Sequence, residues 1–103
     1  MPIPYFTITQ LLEKHPLGTP GGVFKFVRIC EEYRFIEITM LWTPKHSELV
    51  ADGELPQSAG MISIWPDCWE MKDTYSSTLK IGATEIDYEM MTQKLGRQEK
   101  TRW

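Results

Sequence analysis

The spacing of apolar residues near the start of the chain predicts a short helix. Thr7 is a residue type that caps helices, and Pro16 followed by the turn segment LGTPGG predicts the end of the helix. Four positions between them recur at the i, i+3, i+4, i+7 spacing of one helix face: Ile8, Leu11, Leu12 and His15. This face is expected to pack on the rest of the protein.

Two strand-like segments follow, VFKFVRIC and FIEITMLWT, joined by the polar residues EEYR. Apolar and polar residues alternate along the second segment, which predicts one face formed by Ile36, Ile38, Met40 and Trp42. A four-residue loop would pair Cys30 with Phe35. That register also places Arg28 opposite Glu37, an opposite-charge pair that favours it.

The segment MISIWPDCWEMK predicts a second hairpin. Residues 65–68 (WPDC) suit a type I turn, with proline in the second position and aspartate in the third. The turn pairs Ile64 with Trp69 and Ile62 with Met71, so that all four lie on one face. Cys68 is then a turn residue and not a reactive thiol, since no histidine lies near it in sequence to act as a base.

Residues 84–95 allow two interpretations, and the strand is favoured over the helix. The strand before them is expected to pair with the hairpin, Leu79 opposite Met71. A strand over 84–95 alternates after one change of phase near Gly82, as at a bulge or bend. A helix would put Ile86 and Met90 nearly opposite the other apolar residues, Tyr88, Met91 and Leu95, which is poor amphipathicity.

The predicted sheet is apolar on both faces, and one short helix cannot cover both. The second face needs another cover, which is a second sheet layer, the long loop 44–60, the tail or another subunit. We therefore predict an α+β fold in which the helix packs on a strongly bent antiparallel sheet of five or six strands, with a half-open barrel as one possible form. Residues 1–92 form a single domain, and the basic segment 93–103 is expected to be a mobile tail.

Charge and composition exclude some classes of function. The 103 residues carry a net charge of −3, but residues 31–92 alone hold twelve acids and four bases. Such an acidic body argues against direct nucleic-acid binding, which needs clustered lysine and arginine. There is no apolar run long enough for a membrane span and no signal-peptide pattern, so no membrane association and a cytoplasmic location with reduced thiols are expected.

Residues that could carry chemistry are sparse. Cys30, Cys68, His15 and His46 are isolated from one another, without the close pairs that metal sites show. The sequence predicts no metal, no cofactor and no catalytic residues. A non-enzymatic function is favoured, but the sequence does not exclude an enzymatic one.

Three functional hypotheses remain. The first is an interaction protein with a possible protein partner, forming a homodimer through an aromatic sheet face. The second is a ligand-binding half-barrel, or an enzyme built on one, with a pocket rich in aromatic residues and methionine. The third is an acidic decoy for a nucleic-acid-binding protein, with three strand carboxylates in a row. The residues assigned to the interaction surface are Trp65, Met61, Tyr75, Glu85, Asp87 and Glu89, the last three also forming the row; those assigned to the pocket are Tyr33, Glu37, His15 and Cys30.

Overall fold

A computed structural model describes residues 3–72 and 75–100, and this part of the chain has the predicted α+β fold. The elements, in chain order, are α1 (Ile8–Lys14), β1 (Val23–Ile29), β2 (Glu32–Glu37), a 3-10 turn (His46–Leu49), β3 (Ser58–Ile64), β4 (Cys68–Lys72), β5 (Tyr75–Ser76), β6 (Ile81–Gly82), α2 (Glu85–Leu95) and β7 (Gln98–Glu99).

The described strands form a five-stranded sheet and a separate two-stranded sheet, and they close no barrel. The larger sheet has the order β2-β1-β3-β4-β7 and is antiparallel except for the parallel pair β4–β7. The predicted pairing of Met71 with Leu79 is wrong, because Leu79 lies in the turn between β5 and β6, and the strand that pairs with β4, at Cys68 and Trp69, is β7. Strands β5 and β6 pair with each other instead, Ser76 opposite Ile81.

Helix α1 begins at the predicted cap. The Thr7 hydroxyl accepts a hydrogen bond from the Gln10 backbone N–H (3.3 Å), and the Gln10 side chain accepts one from the Thr7 N–H (3.0 Å). This reciprocal pair satisfies two of the free N–H groups at the helix start. Leu11 is buried, so the predicted apolar face does pack on the sheet.

The β3–β4 hairpin has the predicted register. Ile64 lies opposite Trp69 and Ile62 opposite Met71, and the Trp65 N–H donates to the Cys68 carbonyl at 2.9 Å. Turn chemistry and alternation agree in this segment, so local sequence was sufficient to fix it.

The predicted β1–β2 register is wrong. Arg28 lies opposite Tyr33, not Glu37, because the strands are joined by the two residues Cys30 and Glu31, with Cys30 at a φ of 57°. The partner of each β1 residue therefore moves by four positions, an even number that leaves every side chain on its predicted face. The tight turn brings Phe35 opposite Phe26, their ring centres 6.1 Å apart.

The strand favoured for residues 84–95 is also wrong, because Glu85–Leu95 is helix α2. Asp87 accepts a hydrogen bond from the Thr84 N–H at 2.8 Å, which stabilises the first turn. Met91 and Leu95 are buried, and Gly96, in the left-handed conformation (φ 63°), ends the helix. The spacing of apolar residues did not predict this helix because one of its buried residues, Asp87, is a carboxylate.

Both sheet faces are buried, as predicted, and this chain contributes the cover of both. We call the face under α1 and α2 the helix-covered face; its buried residues are Leu11, Phe24, Phe26, Tyr33, Phe35, Ile62, Ile64, Trp69, Met91 and Leu95. The opposite, loop-covered face packs against residues from the N-terminal segment, the 3-10 turn and the region around β6. Its buried residues are Val27, Ile29, Ile36, Leu49 and Ala59.

The predicted boundary between domain and tail falls within α2. After the helix, Arg97 is buried and its Nη2 donates to the carbonyls of His15 (2.8 Å) and Pro16 (2.7 Å) beyond the end of α1. Gln98 and Glu99 then pair with β4. The described part of this segment thus joins α1 to the sheet, and Trp103 lies outside the described residues.

Candidate functional site

Among the residues that the structure describes, the most exposed apolar side chains lie in the loop after β2. Met40 and Leu41 are fully exposed and Trp42 is half-exposed. The sequence predicted a strand through this segment, but β2 ends at Glu37. Instead, the Thr39 N–H donates to the Trp42 carbonyl (3.0 Å), and the Trp42 N–H donates to the Thr39 hydroxyl (3.1 Å). We call residues 40–42 the apolar tip.

An apolar groove of about 240 Å³ adjoins the tip. Trp42 forms part of both. The Phe6 N–H and carbonyl pair with the carbonyl and N–H of Phe35, each at 2.8 Å, which fixes the N-terminal segment along the edge of β2. We call this the N-terminal groove; its lining residues are Pro4, Tyr5, Phe6, Ile36 and Trp42.

A larger groove, of about 510 Å³, lies where α1, the β1–β2 turn and α2 meet. It opens between the helices and the sheet, so a barrel mouth is not needed to form it. We call it the α1–α2 groove; its lining residues are Ile8, Arg28, Cys30, Glu31, Tyr33, Ile86, Met90 and Lys94.

Two residues that line the α1–α2 groove, Arg28 and Tyr33, donate hydrogen bonds to Asp87, which is fully buried. Its Oδ1 accepts hydrogen bonds from Tyr33 Oη (2.6 Å), Ser58 Oγ (2.9 Å) and Arg28 Nε (3.0 Å). Burial alone would raise the pKa of Asp87, but these bonds and the Thr84 N–H outweigh it and lower the pKa. Burial and the bond to Asp87 raise the pKa of Tyr33, so the phenol stays protonated as a donor to an ionised carboxylate.

Arg28 connects this buried network to the groove. Besides Nε, its Nη1 donates to the Cys30 carbonyl (3.2 Å) and to the Gln57 side chain (2.9 Å). Its Nη2 has no hydrogen-bond partner among the described residues. The side chain is 13% exposed and lines the groove, and the hydrogen bonds from Nε and Nη1 hold its guanidinium in place.

The residues predicted for a ligand pocket divide between the groove and other places. Tyr33 and Cys30 line the α1–α2 groove together. His15 lies at the end of α1, with its Nδ1 3.3 Å from the Pro20 carbonyl oxygen, and Glu37 lies opposite Phe24 at the far end of β2. The structure does not bring these two into the groove.

Two of the residues predicted for an aromatic interaction surface do lie on one sheet face. Met61 pairs with Lys72, and the Lys72 Nζ lies 5.8 Å from the centre of the Trp65 ring. The Nζ of Lys100 approaches the same ring at 4.8 Å, and Trp65 is half-buried. Tyr75 is exposed and lies in the separate β5–β6 sheet.

The predicted row of strand carboxylates does not form. Glu85, Asp87 and Glu89 lie on a helix, where residues two positions apart are turned by about 200°. Asp87 faces the core, whereas Glu85 and Glu89 are exposed. The geometric basis of the acidic-decoy hypothesis is therefore absent.

Sequence reasoning missed the apolar tip and the Asp87 network, although each has a sequence signal. Three consecutive apolar residues, Met40–Trp42, break the alternation of β2 just before Thr43-Pro44. Thr84-x-x-Asp87 has the spacing of a helix-capping box.

Within residues 3–72 and 75–100, no three His, Cys, Asp or Glu side chains are grouped in a way that could hold a metal ion. No helix described there has the length and apolar character to cross a membrane. Comparisons with protein-family models, curated proteins and solved structures found no match.

Proposed function

We propose that this protein is an interaction protein that self-associates, the apolar tip of each copy docking in the N-terminal groove of the other. The full exposure of Met40 and Leu41 is the observation that carries this proposal. Scattered exposed apolar residues are ordinary, whereas contiguous ones with an apolar groove beside them are typical of association surfaces.

The turn that presents the tip supports a docking role. Backbone and side-chain hydrogen bonds between Thr39 and Trp42 close it, so the Met40 and Leu41 backbones are ordered before any partner binds. Ordering a loop at the moment of association lowers affinity, and a loop already held in its bound shape avoids that cost.

A second copy is the occupant that best fits both features. Tip and groove adjoin on one surface and share Trp42, so a two-fold axis beside them would set each tip against the other copy's groove. Burying one large apolar side chain contributes about 1.5–3 kcal/mol. Two such side chains from each copy contribute about 6–12 kcal/mol, and the groove residues that they cover add to this gain, against an association cost of about 4–15 kcal/mol. We therefore expect a reversible dimer of modest affinity.

Sedimentation velocity over a range from low to high micromolar concentration tests the proposal. The wild-type protein should shift from monomer to dimer with concentration. The double variant Met40→Ser/Leu41→Ser should stay monomeric at the highest concentration. Leu17→Ser/Leu55→Ser is the matched control, since it removes two apolar side chains that are exposed elsewhere and should dimerise like the wild type.

Two results would count against the proposal. A wild-type protein that is monomeric throughout would exclude self-association. A dimer that persists in the Met40→Ser/Leu41→Ser variant would place the interface elsewhere, and Trp65→Ala would then test the face that holds Met61 and Trp65.

A further inference from the structure

We propose that the α1–α2 groove binds a small carboxylate with an apolar chain, of the medium-chain fatty-acid class. This inference does not depend on self-association, because the groove shares no lining residue with the tip or with the N-terminal groove. It rests on three features of the groove: a fixed guanidinium, an apolar wall along α2 and the distribution of charge.

The guanidinium of Arg28 provides the site for the carboxylate. Asp87, the Cys30 carbonyl and Gln57 hold its Nε and Nη1, and Nη2 has no partner among the residues that the structure describes. An arginine fixed in this way loses little side-chain entropy when it donates a further hydrogen bond. Charge-assisted N–H···O bonds of this kind are about twice as strong as neutral ones.

The apolar wall along α2 provides the site for the hydrocarbon chain of the ligand. Ile86, Met90 and Lys94 recur every four residues, so they lie along one side of the helix over about 12 Å. Ile8, from the first turn of α1, also lines the groove. Ile86 is 55% exposed although it sits in a lined groove, and an apolar ligand would cover it.

The charges of the groove favour an anion bound through one end. Asp87 is saturated by its own donors, so it offers a ligand little beyond the positioning of Arg28. Lys94 adds a second cation, and Glu31, exposed in the β1–β2 turn, is the one acid that lines the groove among the described residues. Arg28 lies by the first turn of α2 and Lys94 in its last. When the carboxylate of the ligand binds Arg28, its hydrocarbon chain can therefore lie against Ile86 and Met90.

Octanoate is a suitable probe, and octanol and acetate are its two controls. Isothermal titration calorimetry and amide chemical shifts should show octanoate binding with shifts at Cys30, Tyr33, Ile86 and Met90. Octanol lacks the charge and acetate lacks the chain, so each should bind at least about tenfold more weakly. The role of Arg28 is tested by changing the ligand and not the residue, because substituting Arg28 would also remove the positively charged partner of the buried Asp87.

A pair of charge substitutions at Ile86 tests the wall without disturbing the core. Ile86→Glu places an anion beside the hydrocarbon chain of the ligand and should weaken octanoate binding by about tenfold or more. Ile86→Lys makes a change of similar size but adds a cation, and it should retain more of the affinity. Leu55→Glu, at an exposed apolar residue outside the groove, should bind octanoate like the wild type.

Three outcomes would overturn the assignment. These are no octanoate-induced shifts at groove residues up to millimolar concentration, octanol binding as tightly as octanoate, and equal octanoate affinity in Ile86→Glu and the wild type. The circular dichroism spectra of the variants, compared with that of the wild type, separate a lost site from a lost fold.

Discussion

The two faces of the sheet are buried in different ways. The helix-covered face is sealed by regular elements, with Trp69 and the Phe26–Phe35 pair packed beneath α1 and α2. The loop-covered face has a smaller apolar cluster, and its cover is a 3-10 turn, a short N-terminal segment and residues near β6. A sheet that is apolar on both sides therefore does not require a helix on each.

Each cover is tied to the sheet through a buried ionic group. On the helix-covered face, Asp87 reaches from α2 to Arg28, Tyr33 and Ser58 on the strands. On the loop-covered face the direction is reversed, because Arg34 projects from β2 towards the loop.

The Arg34 guanidinium contacts several of the non-helical segments that cover this face. It donates to both carboxylate oxygens of Glu54 (2.7 and 2.5 Å) and to the Leu49 carbonyl (2.8 Å), and it lies over the Tyr5 ring at 4.9 Å. A bidentate arginine–carboxylate pair fixes orientation as well as distance. One planar side chain thus holds a loop with little secondary structure in a defined position.

The largest effect is expected from Asp87→Ala. The substitution leaves Arg28 without its carboxylate and Tyr33 and Ser58, which are buried, without their acceptor. Removing one partner of a buried ion pair costs about 3–5 kcal/mol. Urea unfolding should show this loss, whereas Glu89→Ala, at an exposed position of the same helix, should change stability by less than about 0.5 kcal/mol. A loss for Asp87→Ala as small as the control's would mean that α2 is held by its apolar contacts alone.

Truncating one buried side chain on each face compares the two covers directly. Met91 (helix-covered) and Leu49 (loop-covered) are both fully buried. Large-to-alanine substitutions in cores cost about 2–5 kcal/mol, and the cost depends on how well the surroundings collapse. We expect Met91→Ala near the upper end and Leu49→Ala near the lower end, because a loop relaxes more easily than a packed helix. Urea midpoints measure both, and a larger loss for Leu49→Ala would reverse the comparison.

How far the fold followed from sequence depends on the range of the interactions that fix each part. The β3–β4 hairpin was predicted because its turn residues and its alternation lie within twelve residues. The β1–β2 faces were predicted but the partners were not, since the register depends on Cys30 adopting a positive φ that its residue type does not indicate. Helix α2 was missed because Asp87 is buried by partners 29 to 59 residues away in sequence.

The candidate sites show the same dependence on range. Tyr33 and Cys30 were assigned to the pocket of a half-barrel, and the structure places both of them, close to the β1–β2 turn, in a groove of a different kind. The other wall of that groove comes from α2, which was taken for a strand. Met40 and Trp42 were expected on one sheet face with Ile36 because the segment alternates like a strand, and alternation alone does not show where the strand ends.

The smallest effect, and the one that best separates the two faces, is expected from acid. Hydrogen bonds from Arg34 and from the Ala51 N–H lower the pKa of Glu54 to about 2, below its value of about 4.3 in an unfolded chain. A lowered folded-state pKa gives stability that is complete above the unfolded value and is lost as the pH falls from about 4.3 towards 2.

Hydrogen exchange followed by NMR can locate this loss. Between pH 5 and pH 2.5, amides of the 3-10 turn and of residues 50–54 should lose protection before those of α2. The Asp87 pKa is also lowered, but α2 retains its apolar contacts with Trp69 and its neighbours. In Glu54→Gln the loop amides should be less protected already at pH 5 and change little on acidification, because no carboxylate is left there to protonate. Loss of protection in α2 and the loop together would mean that the two faces unfold as one cooperative unit, and that the Arg34–Glu54 pair does not define a separate, weaker layer.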